Sequence, residues 1–424
     1  MKFNMMCDNH LKINNYFYKN FTMLFQFGFY SSVLLISFTQ GIIYSILLLV
    51  KAIKTENNSN YWLSLFIFLC CLYIAPWMLG FAGWYDNQPY RDFLFYTPFQ
   101  HLLFVGPIIF FYTQSLLNPS FKFSKKEVLH LLPGFIYLVY IMSIWIYDKF
   151  IFGGYFFYEN GMDKDFDDWY QKLGLISMII YFILSIRYYN VYKKLMFQVV
   201  SYADSILFKW IKTYLIAFLV MLLLPITFDI LGFFYPEMKS YQGSWWFFLF
   251  FSIVMYYIAV TGYSNPINST IPFKMSFFDK NPILLLDSNN VNETETVIDI
   301  EHETFEETNS PEISLWKSKI ETLIQEEKLY QNPELTLTDL AKKLETNASV
   351  ISKTINQGFQ MNFNDCINNY RIEAVKNSFA NGEHKKSTLL GIAYDCGFNS
   401  KATFNRAFKK NTGTTPKEYL SLIS

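Results

Sequence analysis

Charge is what this sequence has least of. Charged residues make up 17% of its 424 positions, against about 25% in an ordinary soluble domain, so the chain cannot cover its whole length with a solvated surface. Cysteine is also sparse. Cys7, Cys70, Cys71, Cys366 and Cys396 form no C-x-x-C pair and have no histidine at metal-ligand spacing, which argues against a disulfide framework and against a zinc site. H-E-x-x-H, G-x-S-x-G and P-loop texts are missing too, and no kinase signature follows the apolar region. The expectation is a protein without enzymatic activity, cofactor or metal.

What is abundant is apolar surface: hydrophobic residues reach 52% and aromatics 20%. A helix needs about 20 apolar residues to cross a bilayer. Seven stretches come near that length: Tyr30 to Val50, Tyr61 to Phe81, Phe93 to Leu117, Val128 to Tyr147, Leu173 to Tyr189, Trp210 to Phe233 and Trp245 to Gly262. The first is too long for a signal peptide and is followed by no A-x-A-like site before Lys51, so it should remain as a helix.

Ionisable groups inside such spans are costly and point to function. With a rise of about 1.5 Å per residue, His101 lies about 12 Å and Asp229 about 6 Å from the outer ends of their spans. Gln100, His101 and Asp229 are therefore the candidates for lining a cavity that senses a small-molecule or envelope signal, with Trp84, Tyr85 and Asp86 at its mouth. The longest outer loop, Asp148 to Trp169, carries Asp163, Asp165, Asp167 and Asp168 without EF-hand spacing, and reads as a solvated acidic loop.

Composition changes abruptly after Asn265. Between Asp287 and Glu312 stand nine acidic residues and no Lys or Arg, so a flexible tether is expected. From Ile313 onward the balance reverses, with fifteen Lys and Arg against eleven Asp and Glu.

The most specific text is in this last segment, at Leu389 to Pro416. Ile392, Ala393 and Cys396 mark one face of a helix, and Phe404 and Phe408 a stripe on the next. Between them Gly397 suits a tight turn, and Asn399 or Ser400 can cap the second helix. Upstream, Leu340, Ala341 and Leu344 repeat the first spacing, and Ile351 and Ile355 the second, with Asn347 as cap. Two helix-turn-helix units result, joined by a helix over Phe363 to Ala380 with Phe363, Ile367, Tyr370, Ala374 and Phe379 as its buried face. The outward positions, Ser349, Ser352, Lys353 and Asn356 in one motif and Lys401, Ala402, Asn405 and Arg406 in the other, are the candidates for base contact. Lys409, Lys410 and Thr412 suit phosphates, and Arg371 in the joining helix is structural.

Ala393, Cys396, Gly397, Phe398, Ser400, Phe404, Arg406, Phe408, Lys409, Gly413, Thr415 and Pro416 resemble the second helix-turn-helix of the AraC/XylS family of bacterial transcription regulators. The resemblance covers roughly the last quarter of the chain and implies promoter DNA as partner. A cytoplasmic C-terminus after seven crossings puts the N-terminus outside an inner membrane. The predicted inner loops agree, with ten Lys and Arg against five in the outer loops.

The expected fold is all-α: a polytopic bundle of about seven spans over residues 1–264, an acidic linker over 265–312, and a DNA-binding domain with two helix-turn-helix motifs over 313–424. The expected function is a one-component transcription regulator in the lipid bilayer, with a homodimer suggested by half-site logic. The alternative is a transporter or membrane enzyme with an appended regulatory helix-turn-helix.

Overall fold

The computed structural model describes residues 26–203, 208–265, 273–274, 283–285, 295–297 and 310–423. They are overwhelmingly helical and fall into two compact units. One contains residues up to Leu116, Lys122–Ile186 and Lys212–Pro266; the other contains Leu117–Phe121, Arg187–Ile211 and the chain from Ile267 onward.

The first unit is built from α1 (Phe29–Thr55), α2 (Asn58–Phe81), α3 (Tyr90–Tyr96), α4 (Leu102–Leu117), α5 (Lys125–Ile146), α6 (Asp168–Val199), α7 (Phe208–Phe234) and α8 (Ser244–Ser264), the last residues of α4 and parts of α6 and α7 belonging to the second. Six of these are long and apolar enough to cross a membrane, with mean hydropathy from 1.4 to 2.4. Packing follows the small-residue logic of membrane helices. Gly41 of α1 meets Cys71 of α2 so closely that an added Cβ would lie 2.3 Å from its Sγ. One turn on, Ser45 Oγ donates to the Ser64 carbonyl at 2.9 Å and Ser64 Oγ donates to the Ser45 carbonyl at 2.7 Å.

The stretch expected as a third span, Phe93 to Leu117, is not one helix. α3 stops at Tyr96, residues Thr97 to His101 are non-helical, and α4 has only 16 residues. Pro98 sits in the break. Exposed backbone N–H groups in an apolar setting must find acceptors. Here they find Asp165, 65 residues further on: its Oδ2 accepts from Phe99 N at 2.7 Å and Gln100 N at 2.9 Å, and its Oδ1 from Tyr137 Oη at 2.6 Å. Tyr170 Oη and Gln171 Nε2 complete the clasp on Gln100. The loop from Asp148 to Trp169 is thus no solvated acidic run throughout, since Asp163 and Asp165 are buried.

The second unit starts its connector with three very short antiparallel strands, β1 (Phe273–Lys274), β2 (Ile283–Leu285) and β3 (Glu295–Val297), in that order across the sheet. The rest of the expected tether lies outside the described residues. Seven helices follow: α9 (Pro311–Glu326), α10 (Leu337–Lys343), α11 (Ala348–Gly358), α12 (Phe363–Ala380), α13 (Leu389–Asp395), α14 (Lys401–Thr412) and α15 (Pro416–Ile423). α12 has the expected bounds. Its buried face holds Phe363, Ile367 and Phe379 but also Cys366, Arg371, Ile372 and Val375, while Tyr370 and Ala374 are half-buried. Ile372, Val375 and Phe379 join Ile392, Ala393, Cys396, Phe398, Phe404 and Phe408 in one core.

Burial pushes the Asp165 carboxyl up to about 6, against the hydrogen bonds that favour its charged form. Asp163, buried beside it, is raised as well, first by burial and then by the Asp165 charge. A carboxyl raised on folding contributes stability that is fully present below its unfolded pKa of about 3.9 and is lost as pH rises through the folded value. The purified protein in lipid nanodiscs should therefore melt at higher temperature at pH 5 than at pH 7, and Asp163→Asn/Asp165→Asn should flatten that difference. A melting temperature that falls on acidification by the same amount in both proteins would contradict it.

Candidate nucleic-acid interface and membrane cavity

The second helix of each expected pair, α11 and α14, is started by a side-chain cap. Asn347 Oδ1 accepts from Val350 N at 2.9 Å at the head of α11, and Ser400 Oγ accepts from Thr403 N at 3.1 Å at the head of α14. Of the two capping candidates in the second turn it is Ser400 that acts. The support helices are capped in the same way: Thr336 and Asp339 form a capping box on α10, and Thr388 accepts from Gly391 N on α13. Gly397 makes the turn between α13 and α14 with φ of 92°. A Cβ there would lie 2.2 Å from the Tyr330 carbonyl oxygen, so glycine is required twice over.

α14 buries Thr403, Phe404 and Phe408 and exposes Lys401, Ala402, Asn405, Arg406, Lys409 and Lys410. That is a continuous polar and cationic face on a helix whose N-terminal end carries positive partial charge. Two of the expected contacts sit differently. Lys410 Nζ pairs with Asp365 Oδ2 at 2.6 Å, tying α14 to the first turn of α12, and Thr412 Oγ1 donates to the Phe408 carbonyl at 2.8 Å. Both therefore have protein partners where phosphates were expected.

On α11, Lys353 is exposed and Ser349 and Asn356 are half-buried. Ser352 is buried at 7% exposure and does not face outward, because it follows Ile351 on the packed side of this short helix. Strand β3, within the acidic connector, packs against α11.

Arg371 is the largest fully buried side chain among the described residues, and its five N–H groups all have acceptors. Nε donates to Tyr330 O at 2.8 Å; Nη1 to Ser201 O at 3.0 Å and Asn368 Oδ1 at 3.1 Å; Nη2 to Ser201 Oγ at 2.9 Å and Asn332 O at 2.8 Å. Burial lowers its pKa to about 9, which leaves it charged at neutral pH. Its structural role was legible from its helix position. Its partner Ser201 was not, since nothing local marks a serine 170 residues away as an acceptor.

In the first unit His101 lines a cavity of about 60 Å³, together with Phe66, Cys70, Tyr73, Pro225 and Phe251. Gln100 is buried beside the break, and its side-chain oxygen accepts from Gln171. Asp229 is exposed and does not line this cavity. Beyond Pro225, α7 buries only Gly232 up to its end, so Asp229 projects away from the bundle. Trp84, Tyr85 and Asp86 form a single turn in which Tyr85 Oη donates to Asp163 at 3.4 Å; none of the three lines the cavity.

Comparison with known proteins matches residues 340–421 to the profile described as "Helix-turn-helix domain". The chain is also similar to uncharacterised helix-turn-helix-type transcriptional regulators of Staphylococcus aureus, from strain COL and strain MSSA476. Each is 32% identical over 91 residues, which is 22% of this chain and 12% of the relative. The chain thus covers about an eighth of the length of these relatives. No solved structure matches. The matched profile does not extend into the apolar unit.

Gly397→Ala should cost roughly 2 kcal/mol or more of local stability, from left-handed strain and the collision with Tyr330 together. Hydrogen exchange of peptides from α13 and α14 measures this, and exchange at the wild-type rate would contradict it.

Proposed function

We propose that the protein is a membrane-bound one-component transcription regulator that binds promoter DNA with α11 and α14 and receives a signal through its apolar helices. The observation that carries this reading is one chain holding both a helix-turn-helix domain with an exposed cationic recognition helix and six apolar helices of membrane-crossing length. Coupling between two arrangements, rather than chemistry, transmits the signal.

α14 enters the major groove with Lys401, Ala402, Asn405 and Arg406 towards base edges and Lys409 towards phosphate; α11 presents Lys353 with Ser349 and Asn356 beside it. Lys410 contributes long-range positive potential once its Asp365 pair is screened. In the bilayer, α4 at about 24 Å is short for a hydrocarbon core of about 30 Å, and the non-helical Thr97 to His101 supplies the remaining length. Together with the six long helices this gives seven crossings, an N-terminus outside the inner membrane and the DNA-binding domain in the cytoplasm. A homodimer presents two such domains to paired half-sites.

The cavity beside the break is the sensing site. His101 supplies its ionisable side chain within otherwise mostly apolar walls, which suits a small, mainly apolar ligand carrying one hydrogen-bonding group. Gln100 acts behind His101 by holding the backbone of the break. Asp229 lies outside this site.

Two measurements test the reading. Full-length protein in nanodiscs, presented with a pool of random duplexes, should enrich a defined sequence. Arg406→Ala should weaken binding to that sequence by about 10-fold to 100-fold, whereas Lys409→Ala should weaken all sequences alike and lower the salt slope by about 0.9. Enrichment of no sequence, or identical preferences after Arg406→Ala, counts against base reading by α14. In cells, His101→Phe should fill the cavity and change output from the selected promoter, while Asp229→Asn should not; the reverse pattern would remove the cavity from the account.

A further inference from the structure

The segment between α6 and α7 does more than join two apolar helices. Val199, Val200, Ser201 and Ala203 are all buried, at 2%, 0%, 0% and 0% exposure. A turn that only linked two helices at a membrane face would lie in water. Instead it belongs to the same compact unit as the helix-turn-helix domain. Val200 forms an antiparallel bridge with Thr336, and Ser201 N donates to the Leu335 carbonyl at 3.0 Å. Thr336 is the residue whose side chain caps α10, the support helix of the first helix-turn-helix. Asn364 Nδ2 donates to the Val200 carbonyl at 3.4 Å, from the first turn of α12. Ser201 alone supplies two of the five acceptors around the buried Arg371 guanidinium, on the helix that joins the two motifs.

We propose that Val200 and Ser201 are the transmission contact of this protein, a plug through which movement of α6 and α7 is felt at the start of the first helix-turn-helix and on the joining helix. This rests on the DNA-binding reading given above. The plug is well suited to switching because it is all or none. Withdrawing Ser201 leaves a buried guanidinium with two unpaired donors, a state costly enough that Tyr330, Asn332 and α12 must rearrange to relieve it. A small displacement of the α6–α7 connector is thereby converted into two distinct arrangements of α10 and α12 instead of a graded one. Both flanking helices run into segments of membrane-crossing length, so whatever shifts them acts on this contact.

The test uses the full chain in nanodiscs. Facing residues of an antiparallel bridge have Cα atoms about 4.5 to 5.5 Å apart, within disulfide range. Val200→Cys/Thr336→Cys should therefore cross-link within one chain on oxidation, while neither single variant does. Oxidised, its α10 and α12 peptides should exchange hydrogen about tenfold more slowly than reduced; Ser201→Pro should make them exchange about tenfold faster than wild type, and Ser201→Ala, which removes only Oγ, should fall between. Affinity for duplexes selected on the wild-type protein should differ by about fivefold or more between oxidised and reduced forms. Failure to cross-link, or wild-type exchange in Ser201→Pro, overturns the docking. Equal DNA affinity in both redox forms overturns transmission while leaving the docking in place. A wild-type protein that binds no DNA overturns the DNA-binding reading and transmission to DNA with it, and exchange still decides the docking.

Discussion

A buried guanidinium governs the C-terminal half of this molecule. Arg371 is only 1% exposed, and a charge in that position is tolerable only while every N–H has an acceptor. Three of its acceptors are carbonyl or amide oxygens of the C-terminal segment, at Tyr330, Asn332 and Asn368, and the other two come from Ser201. The Tyr330 carbonyl is used twice, since Gly397 is pressed against it at the turn of the second motif. One polar cluster thereby fixes α12, the start of α10 and the turn between α13 and α14. Removing one acceptor from such a cluster costs about 1.5 to 3 kcal/mol, which is a sizeable part of a domain's stability.

The apolar unit solves a parallel problem with the opposite charge. The break at Thr97 to His101 frees backbone N–H groups that neither water nor a helix satisfies, and the Asp165 carboxylate takes two of them. That carboxylate is in turn held by Tyr137, and its neighbour Asp163 by Tyr85. The same clasp places His101 at the wall of the cavity, so the sensing geometry proposed for the bundle depends on a loop residue, Asp165, that does not line the cavity. In both units an ionised side chain distant in sequence holds irregular backbone in place.

What could be read from the residues alone follows from how local each constraint is. Asn347, Ser400 and Gly397 act within a few residues, and the structure uses each as a cap or turn of the kind expected. The bounds of α12 and the Phe404 and Phe408 stripe followed from helical periodicity. The misses are long-range. The apolar length of Phe93 to Leu117 outweighed Pro98 as a signal, and the carboxylate that stabilises the break lies 65 residues away from Gln100. Ser352 had the right period for an outward face yet is buried. Asp229 stood out as an intramembrane charge but lies on a part of α7 that packs against little. The short strands of the connector span two or three residues each, too few for an alternating pattern to mark them.

The central claim is that a protein seated in a membrane reads promoter DNA. The most direct measurement is to cross-link living cells, isolate their membranes, recover this protein and sequence the DNA that stays with it. The account predicts a small set of discrete sites sharing a motif with two half-elements spaced by about one helical turn of DNA, roughly 10 base pairs apart. DNA recovered evenly across the chromosome, or none in the membrane fraction, would contradict it.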